Sequence, residues 1–198
     1  MKKFVVLTAA VSVFVLAGCG GPKVRPVGSQ TVIEKSSDKT PEWVITPFFE
    51  DETTMYFAGT LRGVGDYAVG LRQAKAEAMK NVAEAIKTKA KTEFVQNTRG
   101  SNLPGEDLGR FVQDGIAMTA DNINVSGLLP AESYYEKVEE VTETGVRYFY
   151  NCSVLFQIPT QQYKESRNRA LNGLAEKARK EKDKAAENAA MSLLDKLQ

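Results

Sequence analysis

One side chain in this sequence sits in a neighbourhood built for covalent modification: Cys19, closing the stretch Leu16-Ala17-Gly18-Cys19. Small residues ahead of the cysteine let the backbone enter a narrow protease site, and the thiol is the group that accepts a diacylglycerol chain. Lys2 and Lys3 precede an apolar run from Phe4 to Leu16, broken only by small or hydroxylated residues. That run is too short and too sharply ended for a comfortable membrane span, and together these features match the pattern cut by lipoprotein signal peptidases. The sequence therefore predicts an export signal over residues 1–18 and a mature chain that begins at an acylated Cys19, held to a membrane by lipid.

The other candidates for chemistry fare less well. Histidine is absent, which removes the commonest general base and the commonest transition-metal ligand together. Cys152, the second of two cysteines, lies in phase with apolar residues and reads as a core thiol with no base to activate it. Glu139, Glu140 and Glu143 crowd one stretch and could meet a cation, but they read better as a solvated strand edge whose charges discourage stray pairing. Gly59-Thr60-Leu61-Arg62-Gly63-Val64-Gly65 has the look of a phosphate-cradling loop. The repeating strand and helix units of a dinucleotide fold are missing, so a plain strand-to-helix turn is the expectation. These residues predict no catalytic side chain, no metal site and no cofactor beyond the lipid on Cys19. With 26 basic and 25 acidic residues, and Lys2 and Lys3 lost with the signal, 24 face 25, a balance that does not draw the chain to nucleic acid.

The elements that must carry these residues can be traced from periodicity. Residues 19–40 are rich in Gly, Pro, Ser and Lys and predict a lipidated flexible tether. An ordered domain is expected over 41–160, opening at Pro41-Glu42-Trp43-Val44 with the only Trp as an anchor. Thr54–Ala58 predicts a strand ended by Gly59, Gly63 and Gly65. Asp66 is placed to cap a helix from Tyr67 to about Val95, with Ala74, Ala78, Val82 and Ala85 on its buried stripe and Lys80 outside it. A loop over 97–105 and a second, weaker helix over 106–123 follow. Strict alternation from Val146 to Ile158 predicts a strand with one buried face, joined to a strand over Tyr134–Thr142 by a Glu143-Thr144-Gly145 hairpin tip. Tyr135 and Phe149 fall on the outward face and are candidate partner contacts. Residues 161–198 predict a long charged helix. Its middle, Glu176–Lys184, holds one apolar residue, and the stripe that includes Leu193 and Leu197 suggests a partner contact at the end of a projecting arm. The fold class expected is α+β: a small antiparallel sheet packed by helices, with a charged C-terminal helix.

The order of lipobox, Pro41-Glu42-Trp43-Val44, Tyr56-Phe57-Ala58-Gly59, the Ala-rich helix Ala74–Ile86 and the closing strand Val146–Phe156 resembles the LPP20 lipoprotein family. Similar domains occur in the flagellar H-ring assembly protein. The resemblance implies a small α+β envelope component without an established reaction, and it transfers no catalytic residue. Gly20 follows the cysteine where enterobacterial lipoproteins kept at the inner membrane carry Asp, which implies the periplasmic face of the outer membrane. The function expected is a non-enzymatic outer-membrane lipoprotein that scaffolds an envelope assembly, with a flagellar setting included, through an envelope protein partner. The alternative is a periplasmic or surface lipoprotein that binds a small ligand or glycan on the aromatic hairpin face. The oligomeric state is left open.

Overall fold

The computed structural model describes residues 25–98 and 127–197. The export signal expected over residues 1–18, Cys19 and the helix expected over 106–123 lie outside the described residues. The elements in chain order are β1 (Gln30–Lys35), α1 (Glu42–Ile45), β2 (Phe48–Glu50), β3 (Thr54–Val64), α2 (Tyr67–Thr98), β4 (Leu129–Thr142), β5 (Gly145–Pro159), α3 (Thr160–Lys180) and α4 (Lys184–Leu197). The strands form one antiparallel sheet in the order β1-β4-β5-β3-β2, an α+β fold as expected.

Because side chains alternate across a strand, the register assigns each residue to a face. Met55 opposite Ile158, Phe57 opposite Phe156, and Gly59 opposite Val154 lie on the face covered by α2, α3 and α4. Ala58 opposite Leu155 lies on the other, where Trp43 of α1 and Tyr134 cover it. The second face of β5 is thus partly buried and not simply wet, and Ser153 and Leu155 are enclosed. The indole of Trp43 donates to Glu132 at 2.8 Å, which ties α1 to β4.

Asp66 caps α2 as its position predicts: its Oδ1 accepts from the amide of Val69 at 2.8 Å. The buried residues of α2 are Gly70, Ala74, Ala78, Val82, Ile86, Ala90, Phe94 and Thr98, one every fourth position. Four residues exceed one helical turn by about 40°, so the buried line winds round the helix. Its start rests on the sheet at Cys152 and Val154, and its end is enclosed by α3 and α4. Ala78 is fully buried, whereas Ala85 is only partly so, at the margin of the core.

Three expectations need correction. Gly59 and Gly63 do not end the strand, since β3 continues to Val64; Gly59 is consumed by the close approach of α2 and no phosphate-sized loop exists there. The flexible tether expected over residues 19–40 does not hold for Gln30–Lys35, which pairs with β4 as a strand. The C-terminal segment is a helical hairpin folded onto its own domain and not a projecting arm. The chain turns at Glu181–Asp183, with Lys182 at φ 60°, and Asp183 Oδ1 accepts from the Ala186 amide at 3.0 Å to start α4.

Candidate functional site

Helix α2 covers β3 and β5 but leaves the β2 margin of the sheet uncovered. The result is a groove of about 950 Å³, with Phe48, Met55 and Phe57 as its floor. The register places these three side chains on the helical face, and α2 and the first turns of α3 form the walls. Phe57 lies 5.0 Å from Phe48 and 6.2 Å from Tyr163 between ring centroids. Burial pushes the Tyr163 phenol up to about 12, partly opposed by the charge of Arg167. Asn81 fixes one wall by donating to the carbonyl of Ala58 at 2.9 Å.

The polar end of the groove is built round Glu93. Its Oε1 lies 3.2 Å from Arg167 Nη1 and 3.7 Å from Lys89 Nζ, and the guanidinium is also held by Asn168 at 3.1 and 3.2 Å. Arg167 is 7 % exposed, so this pair is largely withdrawn from water. Two buried oxygens on the same lining, Glu93 Oε2 and Thr160 Oγ1, have no hydrogen-bond partner. An apolar floor with a few converging polar groups is the equipment of recognition.

The residues singled out from sequence do not converge on this groove. Cys19 lies outside the described residues. Cys152 is fully buried, and desolvation raises its pKa, which suits an inert core thiol. Phe149, expected to face outward to a partner, is 8 % exposed and sits opposite Val138. Tyr135 is half-buried in a group with Tyr67, at 4.8 Å between ring centroids, and Tyr150, at 6.2 Å, and its hydroxyl donates to Glu34 at 2.6 Å. Leu193 is 6 % exposed in the main core, and Leu197 packs against that core, so both serve their own domain. No sequence motif marks the groove as a unit. Its one legible sign is the adjacent pair Phe48-Phe49 after Pro47, and the structure leaves both exposed.

The carboxylates of the hairpin are also separated. Glu139 and Glu140 are successive strand residues and face opposite sides of β4, so they cannot share an ion. Arg25, together with the Tyr148 phenol at 2.9 Å, holds the Glu139 carboxyl below its ordinary value. Arg147 and then Gln30 do the same for Glu140. Among the described residues no group of three His, Cys, Asp or Glu is placed to hold a metal, and no helix is long and apolar enough to cross a membrane.

Comparison with known proteins adds no assignment: no family model matches the chain, and no curated protein or solved structure matches it.

Proposed function

We propose that this chain is a non-enzymatic lipoprotein of the outer membrane, anchored through Cys19 on the periplasmic face, which joins an envelope assembly by binding a partner protein in the groove beside β2. The observation that carries the partner site is the pairing of an apolar floor with a free sheet margin. Phe48 is 46 % exposed and Phe49 38 %, on a three-residue strand that among the described residues pairs with β3 on one side only. Exposed aromatics on a strand with one open edge suit an added polypeptide segment, whose backbone would extend the sheet while alternate side chains enter the groove. Glu50, Glu84, Lys89 and Lys164 on the rim supply both signs of charge, which suits a polypeptide better than a uniformly charged polymer. The lipobox and the resemblance to LPP20 lipoproteins support the envelope setting, and the absence of histidine supports a binding role.

A photo-crosslinking residue at Phe48, compared with one at Met79 on the exposed side of α2, tests this in intact envelopes. One defined protein adduct from Phe48 and none from Met79 is expected; equal adducts from both, or none, reject the groove as the partner site. Metabolic labelling with a clickable fatty acid tests the anchor separately, and undiminished label in Cys19→Ser would reject it.

The two unpartnered oxygens, Glu93 Oε2 and Thr160 Oγ1, favour a second reading in which the groove holds a small ligand with an apolar body and a hydrogen-bond-donating head. A bound small molecule in native mass spectra of the protein purified from envelopes, with no protein adduct at Phe48, would select that reading.

A further inference from the structure

We infer that the end of the sheet formed by the β4–β5 turn rests against the lipid surface that holds Cys19, leaving the groove at the opposite end of β5 facing away from it. This rests on the proposal that Cys19 is acylated. Only five residues lie between Cys19 and Arg25, six Cα–Cα steps in all. At full extension they reach about 20 Å. The slack then ends abruptly. The guanidinium of Arg25 binds Glu139 and, at 2.8 Å, Thr31. Gly28 donates to the Val141 carbonyl at 2.8 Å, and the Val141 amide donates back to Ser29 at 3.0 Å. Val141 is opposite Val146, beside the turn. A lipid on Cys19 therefore leashes the molecule by this end and by no other. From Gly145 to Pro159 the strand runs about 45 Å at the usual rise. Thr160 and Tyr163, on the groove wall, follow at its far end.

The surface at the leashed end has the chemistry of an interfacial contact. Val27 is 62 % exposed, Val146 50 % and Tyr148 48 %, beyond the start of α2 at Tyr67. Aliphatic residues beside a tyrosine with a hydrogen-bonded hydroxyl suit the boundary between headgroups and acyl chains. Of the nearby charges Arg25 is paired with Glu139 and Arg147 with Glu140, and Glu143 in the turn adds only a carboxylate, so the contact draws on no anionic lipid. Three partly exposed apolar side chains bind a bilayer weakly alone. The leash supplies the effective concentration that makes the contact persistent, so the unlipidated protein is expected to leave vesicles unoccupied.

The test uses the mature lipoprotein in vesicles of phosphatidylethanolamine and phosphatidylglycerol, with a photo-crosslinking residue at Tyr148 or, for comparison, at Phe48. The crosslinking variants keep both cysteines, and the mass of the N-terminal peptide reports acylation. Lipid adducts at Tyr148 at least fivefold above Phe48 are expected, unchanged when phosphatidylglycerol is replaced by phosphatidylcholine. A depth measurement with an environment-sensitive label on Val146→Cys in a Cys152→Ser background should show selective quenching by spin-labelled lipid. Acylated protein with equal lipid adducts at both sites, with none, or with protein adducts at Tyr148 in their place overturns the orientation alone. An unacylated N-terminus overturns the anchor and the orientation together.

Discussion

Gly59 on β3 lies directly beneath Ala78 on α2: a Cβ added to Gly59 would stand 2.2 Å from the Ala78 amide nitrogen and 2.3 Å from the Ala74 carbonyl oxygen. Both obstacles are backbone, so no side chain can swing aside. Gly59→Ala is expected to push the helix off the sheet and to cost about 1–3 kcal/mol or more. Gly65→Ala meets nothing within 4 Å and should stay within about 0.5 kcal/mol of the parent. Urea denaturation of the two variants checks this, and equal midpoints would show that the close approach is not required.

The same contact explains what could be foreseen. Ala74 and Ala78 at helical spacing point to a helix that approaches a sheet closely, and the alternation through Cys152, Val154, Phe156 and Ile158 identifies the strand beneath it; each is a local period set by one buried face. That cover stops at the start of the helix, so Val146 and Tyr148 continue the alternation but are half exposed. Strand β1 could not be recognised from burial because all six of its residues are exposed; it is held by pairing with β4 at a sheet edge. The turn at Glu181–Asp183 is hidden in a run of charges, with Lys182, a non-glycine residue, at positive φ. The groove is a space between elements far apart in sequence, and no local pattern encodes such a space.

Folding back of α4 reverses the consequence expected for a projecting arm. Ala190, Leu193 and Leu194 belong to the core cluster that holds Val82, Ile86, Phe94 and Leu171, and Asn97 of α2 donates to the Ala189 carbonyl at 3.0 Å. Truncation after Ala175 is therefore expected to unfold the domain or lower its melting temperature sharply. Leu194→Ala alone should cost about 2–5 kcal/mol, whereas Met191→Ala, at a position 42 % exposed, should cost little. Calorimetry decides the matter, and a truncated protein that melts like the parent would return the helix to the solvent.

Arg167 and Glu93 close the polar end of the groove with side chains only 9 % and 16 % exposed. Removing one partner strands the other charge, so Arg167→Met is expected to destabilise by about 3 kcal/mol, as for other largely buried pairs broken on one side. Lys89, at 3.7 Å from the same carboxylate oxygen, does not replace it because its side chain is 56 % exposed. Adding Glu93→Gln to Arg167→Met should recover much of the loss. Chemical denaturation of the four members of the cycle measures this, and strict additivity would show that the two residues are not coupled.

The last prediction concerns acid, and it follows from the carboxylates that hold β1 to the hairpin. Arg25, then Tyr148, keep Glu139 below its ordinary value of 4.5, and Arg147, then Gln30, do the same for Glu140. A carboxyl with a depressed folded value binds fewer protons in the folded state. Its stabilising contribution is therefore fully present above pH 4.5 and is lost as the pH falls through the lower folded values. Both pairs lie at the surface, so salt should weaken them in the same direction. Amide protection in Gln30–Lys35 is expected to fall first on acidification while that of Ala78–Phe94 persists, because β1 contributes no buried residue and α2 carries much of the core. In a Glu139→Gln, Glu140→Gln protein the protection of β1 should be lower at neutral pH and nearly flat below it. If that double variant keeps the parent's acid response, the carboxylates do not govern the β1 edge, and its backbone ladder alone holds the strand in place.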